Sequence, residues 1–190
     1  MSFAHSSRLH RFVDAVFMHG LMKGAYKKFA DTFDLKGSEK VLDFGGGTGA
    51  LSRHVAERLR DGGSVVVLDA SVGWIETGAK RLRRYRNIEF IAGDQNTLSQ
   101  MKAGFDVITI HFMLHDIDKA QRQEAVNALS EALKPGGVLY IREPTSGRHG
   151  MQAAEIIDLM ASADLRKTAS SEGRAFLLGR FFIGEFRKNQ

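Results

Sequence analysis

The densest chemical signal lies at Val41-Leu42-Asp43-Phe44-Gly45-Gly46-Gly47-Thr48-Gly49-Ala50-Leu51. An apolar run enters a glycine turn, and a segment with helical character leaves it. Glycine is required where the backbone bends tightly and where a ligand must approach with no Cβ in between. A helix start beyond such a turn presents unpaired N–H groups to a polar or anionic ligand group. Asp69 closes the next apolar run, at a separation of about 20 residues where an acid accepts from ribose hydroxyls. Turn and acid together predict a nucleoside-containing ligand. Gly45, Gly47 and Ala50 also satisfy G-x-G-x-x-[GA], so on pattern alone a dinucleotide stays open. Asp43 argues against it. Two residues before Gly45, its carboxylate would face a pyrophosphate, whereas a ligand with an ammonium at that point is attracted. A P-loop is excluded, because no Gly-Lys-Ser/Thr follows the glycines.

A second cluster, His111-Phe112-Met113-Leu114-His115-Asp116, follows a later apolar run. Ligands of open α/β sheets bind at the carboxyl ends of strands, and a histidine titrating near neutral pH can take a proton there. His149 and His19 are further candidates for the same edge. His111 and His115 are four residues apart but lie on a strand end and loop, without the usual zinc-helix motif, so no metal site is specified. Asp116 and Asp118 are the one Mg²⁺ option, and Asp118 reads more simply as a helix N-cap. With no Cys among the 190 residues, disulfides, thiolate metal sites and a Cys nucleophile are ruled out.

These groups need a frame, and the hydrophobic pattern supplies one. Apolar stripes at Leu9, Phe12, Val13, Val16 and Phe17, then at Met22, Ala25, Tyr26, Phe29 and Phe33, predict two leading helices, the first capped by Ser6 or Ser7. From Lys40 onward strands and helices alternate. Strands are predicted at Lys40–Phe44, Ser64–Leu68, Ile88–Ala92, Phe105–His111 and Val138–Arg142. Helices are predicted at Ala50–Leu59, Val72–Arg84, Asn96–Met101 and Lys119–Leu133. A further helix near Met151–Ser162 and a last strand near Arg180–Arg187 complete the tail. The alternation predicts an α/β doubly wound domain, a parallel sheet with helices on both faces. VVVL and VITI read as central strands buried on both sides.

Hydrophobic residues at 43% and charged residues at 26% are the proportions of a globular domain. No apolar run approaches the ~18–20 residues of a membrane span, and MSFAHSSRLHRF carries no secretory h-region, which predicts a cytoplasmic protein. The net charge of +5 and a pI near 9.6 favour anionic partners. Cations concentrate at Lys80–Arg86, which reads as a solvated helix face or as a patch for phosphate or lipid headgroups.

In order along the chain, Asp43-x-Gly45-x-Gly47-x-Gly49, VVVLDAS (65–71), AGDQNTL (92–98), FDVITIHFMLHDI (105–117) and ALKPGGVLYIREP (132–144) resemble the motifs of class I S-adenosylmethionine-dependent methyltransferases. The resemblance covers about residues 37–144. It implies a Rossmann-like three-layer αβα sandwich whose seven-stranded, mostly parallel sheet runs in the order 3-2-1-4-5-7-6. The implied cofactor is S-adenosylmethionine, leaving as S-adenosylhomocysteine. Asp43 would orient its methionine end, Gly45, Gly47 and Gly49 would line it, and Asp69 with Ala70 would hold the ribose. Trp74 would pack on the adenine, Asp94 would accept from the adenine amino group beside Gln95, and the backbone of His111 would lie near the sulfonium.

The stretch LHDID also resembles the LHDW-x-D of small-molecule O-methyltransferases, whose histidine is a base. That implies His115 as a general base, although Ile117 replaces the Trp of that pattern. Residues 1–36 would form a helical lid, with Tyr26 touching the cofactor, ahead of one domain over 37–190. Quinone-biosynthesis C-methyltransferases and phospholipid N-methyltransferases have similar leaders. The implied acceptor is a small organic molecule of lipid, quinone or phenolic type. Arg8, Arg11, Lys23, Lys27 and Lys28 would bring the leading helices to a membrane surface. A nucleic-acid methyltransferase and a non-catalytic S-adenosylmethionine-binding protein are the alternatives. An oxidoreductase using NAD is disfavoured by Asp43. Nothing in the sequence sets the oligomeric state.

Overall fold

The computed structural model describes residues 23–101, 104–147, 150–175 and 179–190. The first apolar stripe, Ser6, Ser7, Arg8, Arg11, His19, Met22 and His149 lie outside them. The elements are α1 (Lys23–Ala30), β1 (Lys40–Phe44), α2 (Ala50–Ala56), β2 (Ser64–Asp69), α3 (Val72–Arg81), β3 (Ile88–Ala92), α4 (Gln95–Ser99), β4 (Phe105–His111), α5 (Arg122–Ala132), β5 (Leu133–Pro144), α6 (Ala153–Ser162), β6 (Leu165–Ala175) and β7 (Gly179–Lys188). Short 3₁₀ turns at Leu114–Asp116 and Lys119–Gln121 precede α5. The strands form one seven-stranded sheet in the order β3-β2-β1-β4-β5-β7-β6. Pairing is parallel for β1–β2, β2–β3 and β4–β5, and β7 is antiparallel to both β5 and β6. The expected order and class hold. Contacts divide the chain into two compact units, one ending at Asp94 and one beginning at Gln95.

In the first unit Val65, Val66, Val67 and Leu68 are all buried, and α2 and α3 both pack on this β-branched run. Of the predicted second stripe, Tyr26 and Phe29 are buried on α1, Ala25 is half-buried, and Phe33 is buried just past the helix end at Ala30; α1 packs on α2. Arg58 donates to the carbonyls of Ala30 and Phe33, tying down the end of that segment. The apolar side of α1 is therefore used inside this unit, with Lys23, Lys27 and Lys28 left facing outward. Helix α2 stops three residues short of the expected Leu59, since the Arg60 N–H turns to the Gly37 carbonyl at 2.6 Å instead of continuing the helix.

Helix α3 approaches β3 so closely that a Cβ at Gly78 would sit 2.4 Å from Phe90 Cε1 and 3.0 Å from the Thr48 carbonyl carbon. Alanine normally stabilises a helix interior, but here the Thr48 backbone cannot swing aside as a side chain can. Gly78→Ala is expected to lower stability by about 1–3 kcal/mol, read as a lower urea midpoint with unchanged m-value.

In the second unit, Ile108, Ile110, Leu139 and Ile141 are completely buried. Strand β5 begins at Leu133 rather than at the expected Val138. Phe105 pairs with Leu133 and Val107 with Val138, so residues 134–137 bulge from the ladder, with Gly136 at φ 73°. The LKPGG turn and the strand are thus one element. Strand β6 has no counterpart in the residue-by-residue reading. Its residues are nearly all exposed apart from Leu165, and it runs along the sheet edge, so no apolar alternation marks it. Its pairing with β7 makes it a strand.

Candidate functional site

The first unit builds the glycine loop at the carboxyl end of β1. Gly45, Gly47 and Gly49 take φ values of 69°, 54° and 73°, a region that side-chain-bearing residues rarely enter. The Gly45 N–H binds the Leu68 carbonyl at 2.7 Å and the Gly49 N–H binds the Gly46 carbonyl at 2.9 Å, so the loop is held from both sides. Asp69 receives the Gly47 N–H on Oδ2 at 2.9 Å and the Ser71 N–H on Oδ1 at 2.8 Å. Burial pushes its carboxyl up from the usual value, against those two backbone hydrogen bonds. Each oxygen retains acceptor capacity.

Asp43 is 2% exposed and accepts from the Ser52 hydroxyl. A Cβ on Gly46 would meet its carboxyl carbon at 2.8 Å. The carboxylate thus supports the loop from within. Ser52 and Gly46 were not singled out in the sequence, although a third consecutive glycine beside an acid is a signal for such close approach.

Trp74 is half-buried near the start of α3, and its backbone N–H is capped by the Ser71 hydroxyl at 3.4 Å. Ala70 and Asp94 are exposed, Tyr26 is buried, and in the second unit Gln95 is half-buried as the first residue of α4.

The second unit builds a different constellation at the carboxyl ends of β4 and β5. Glu143 is fully buried. Its Oε1 accepts the Met113 and Leu114 N–H groups, each at 2.8 Å, and its Oε2 lies 2.6 Å from His115 Nδ1. One carboxylate therefore fixes the post-β4 loop and orients the imidazole. Burial pushes the His115 imidazole down, but the hydrogen bond and charge of Glu143, with Asp116, outweigh it and hold its pKa above the ordinary value. Arg122 locks the same turn by donating to the carbonyls of Ile117 at 3.0 Å and His115 at 3.1 Å. Phe112, the residue after β4, has φ 54°, a conformation costly for a bulky side chain. Glu143 and Arg122 escaped the sequence reading, since contact with His115 depends on the crossover between β4 and β5.

His111 Nε2 is buried although the residue keeps some exposed surface. Burial and the Arg142 charge lower its pKa to about 3. The unfolded chain binds a proton here near pH 6.5, so stability from this group is complete above that value and is lost as pH falls toward about 3. His111→Gln is expected to flatten the stability–pH slope across that window in urea titrations. Asp118 takes the N-cap position of its 3₁₀ turn without a side-chain cap hydrogen bond. Among the described residues no group of three or more His, Asp and Glu side chains could hold a metal ion, and no helix is long and apolar enough to cross a membrane.

Residues 41–137 match the family model described as a methyltransferase domain. The chain belongs to the class I S-adenosylmethionine-dependent methyltransferases. It is 33% identical over 122 residues to the ubiquinone/menaquinone biosynthesis C-methyltransferase UbiE of Coxiella burnetii, covering 62% of this chain and 48% of that protein. To the demethylmenaquinone methyltransferase of Paenarthrobacter aurescens it is 37% identical over 113 residues, covering 60% and 42%. The chain thus spans about half the length of the curated relatives it matches. The mitomycin 7-O-methyltransferase MmcR shares the fold, with a TM-score of 0.79 at 21% identity over 97% of this chain and 59% of that one. The family cofactor is S-adenosylmethionine, and the methyltransferase loop fits it. A Cβ at Gly47 would find only Asp69 Oδ2 within 4 Å, at 3.8 Å, so that side of the loop is open beside an acid with acceptor capacity to spare.

Proposed function

We propose that the chain is a methyltransferase that modifies a small lipophilic aromatic acceptor, a quinol or phenol, with His115 as the base that takes the acceptor's hydroxyl proton. The observation carrying this reading is the 2.6 Å pairing of His115 Nδ1 with the fully buried Glu143. Glu143 accepts at Nδ1, which leaves Nε2 as the basic nitrogen. When Nε2 takes a proton, the carboxylate stabilises the resulting imidazolium. A phenolate is a better nucleophile than a phenol at oxygen and at the ring carbons beside it, so the same base serves either atom. The names of the quinone-biosynthesis relatives support the aromatic acceptor.

The bound cofactor supplies a methyl group already activated on a sulfonium. In this reading Asp69 accepts from the ribose hydroxyls, and Asp43 acts on the methionine end through the loop it supports. Ala70, Trp74, Asp94, Gln95 and the His111 backbone complete the cofactor-binding set, and residues 1–36, Tyr26 included, serve as a lid. Alignment of the reacting groups and exclusion of water then carry most of the rate. A Cys-free chain fits a cytoplasmic enzyme.

The test is methyl transfer from labelled S-adenosylmethionine to a panel of quinols, phenols, catechols, lipid extracts and RNA. Label in an organic-extractable aromatic product is expected. Label in RNA alone, or tight cofactor binding with no turnover on any acceptor, would overturn the proposal.

A further inference from the structure

The turn closing α3 holds the densest run of positive charge in the sequence: Lys80, Arg81, Arg83, Arg84 and Arg86 within KRLRRYR. All five side chains are exposed. The two other residues of the run anchor it. Leu82 is 5% exposed and lies where a Cβ on Gly49 would meet its Cδ1 at 2.9 Å. Tyr85 donates its hydroxyl to Glu57 Oε1 at 2.6 Å. It also takes up Arg84, which donates to the Tyr85 oxygen at 3.1 Å with its guanidinium 5.0 Å from the ring centroid.

The side chains of Lys80, Arg81, Arg83 and Arg86 make no ion pair or hydrogen bond among the described residues. Glu76 stands four residues before Lys80, the spacing of a helical ion pair, yet that pair is not formed. Cations in a last helical turn offset the helix dipole, which accounts for Lys80 and Arg81. Arg83 and Arg86 lie beyond the helix, where the dipole gives them no reason to gather.

We infer that Lys80, Arg81, Arg83 and Arg86 form a docking surface for the anionic headgroups of a lipid bilayer. A cluster of exposed cations without ion-pair partners matches a plane of negative charge. A single-stranded nucleic-acid surface interleaves cations with exposed aromatic faces, and here the one aromatic ring is half-buried and engaged by Glu57 and Arg84. The choice of a membrane rests on the proposed lipophilic acceptor, which partitions into bilayers. Because Leu82 braces the turn against the glycine loop, docking holds the cofactor-binding unit itself at the surface where such an acceptor collects.

The experiment is cosedimentation of the full chain with phosphatidylcholine vesicles, with and without phosphatidylglycerol, at physiological salt. Binding is expected only to the anionic vesicles and should weaken as salt rises. Each Lys or Arg near such a surface strengthens partitioning roughly fivefold, so K80Q/R81Q/R83Q/R86Q is expected to lose about 600-fold. R83Q/R86Q serves as a milder variant, and R166Q/K167Q, which removes the same charge from the other unit, should bind as the parent does. Equal binding by the parent and the fourfold variant, or equal binding of the parent to neutral vesicles, would overturn the inference. So would patch-dependent retention of single-stranded RNA stronger than that of vesicles. Turnover of a short-chain, water-soluble quinol should be unchanged in the fourfold variant. If no acceptor is methylated at all, the catalytic proposal fails while the vesicle result still stands or falls on its own.

Discussion

His115→Ala is expected to lower kcat by about 10²- to 10⁴-fold, the usual worth of a positioned proton acceptor, while the dissociation constant for S-adenosylmethionine stays near that of the parent. The imidazole is held by Glu143 at 2.6 Å, so in the proposed mechanism its loss removes a preorganised base rather than a mobile one. Glu143→Gln should also cost activity, since an amide cannot match a carboxylate that accepts from Met113, Leu114 and His115 together. The pH dependence separates the roles. In the parent, the pKa of His115 lies above the ordinary histidine value, and the base must be neutral to act. The acid limb of kcat/KM should therefore have its midpoint above about 6.5. In Glu143→Gln burial remains but the carboxylate charge is gone, so the limb should move to lower pH. The stability linkage runs the other way from that of His111: a raised pKa adds stability at low pH that is lost as pH rises through the folded value. Full turnover by His115→Ala would remove the base assignment.

Asp69→Ala should weaken S-adenosylmethionine binding by about 10- to 150-fold, the equivalent of losing a charged hydrogen bond of roughly 1.5–3 kcal/mol. Calorimetric titration reads this directly. The carboxylate binds the N–H groups of Gly47 and Ser71, and in the proposed reading it also accepts from the ribose hydroxyls of the cofactor. Alanine removes both, leaving the Gly47 N–H to find a new partner and the loop less constrained. Asn keeps one acceptor oxygen and should fall between parent and Ala. Unchanged affinity in the alanine variant would disprove the ribose assignment.

Both experiments probe groups that local sequence marks. Asp69 is marked by an apolar strand that ends in an acid at a telling distance from a glycine turn. His115 is marked by its place after another such strand. Their partners carry no such mark. Glu143 reads as one polar residue within REP, and its role depends on strand β5 lying beside β4. Asp43 is predicted from its sequence position to serve the methionine end of the cofactor, whereas its Ser52 donor and the closeness of its carboxyl to Gly46 come only from packing.

Local pattern was enough for the strands that are buried and β-branched, and for the loop whose glycines must take left-handed backbone angles. Those features are encoded in consecutive residues, and steric limits on each residue enforce them. Strand β6 is the opposite case. Its side chains are polar and exposed, and only hydrogen bonds to β7 make it a strand. The same holds for the pairing that tunes His115, for the packing of Phe90 against Gly78 that leaves no room for a Cβ and for the anchored cationic turn at the end of α3. Each depends on which distant segment arrives alongside, and that is set by the burial of the whole chain rather than by any short stretch of it.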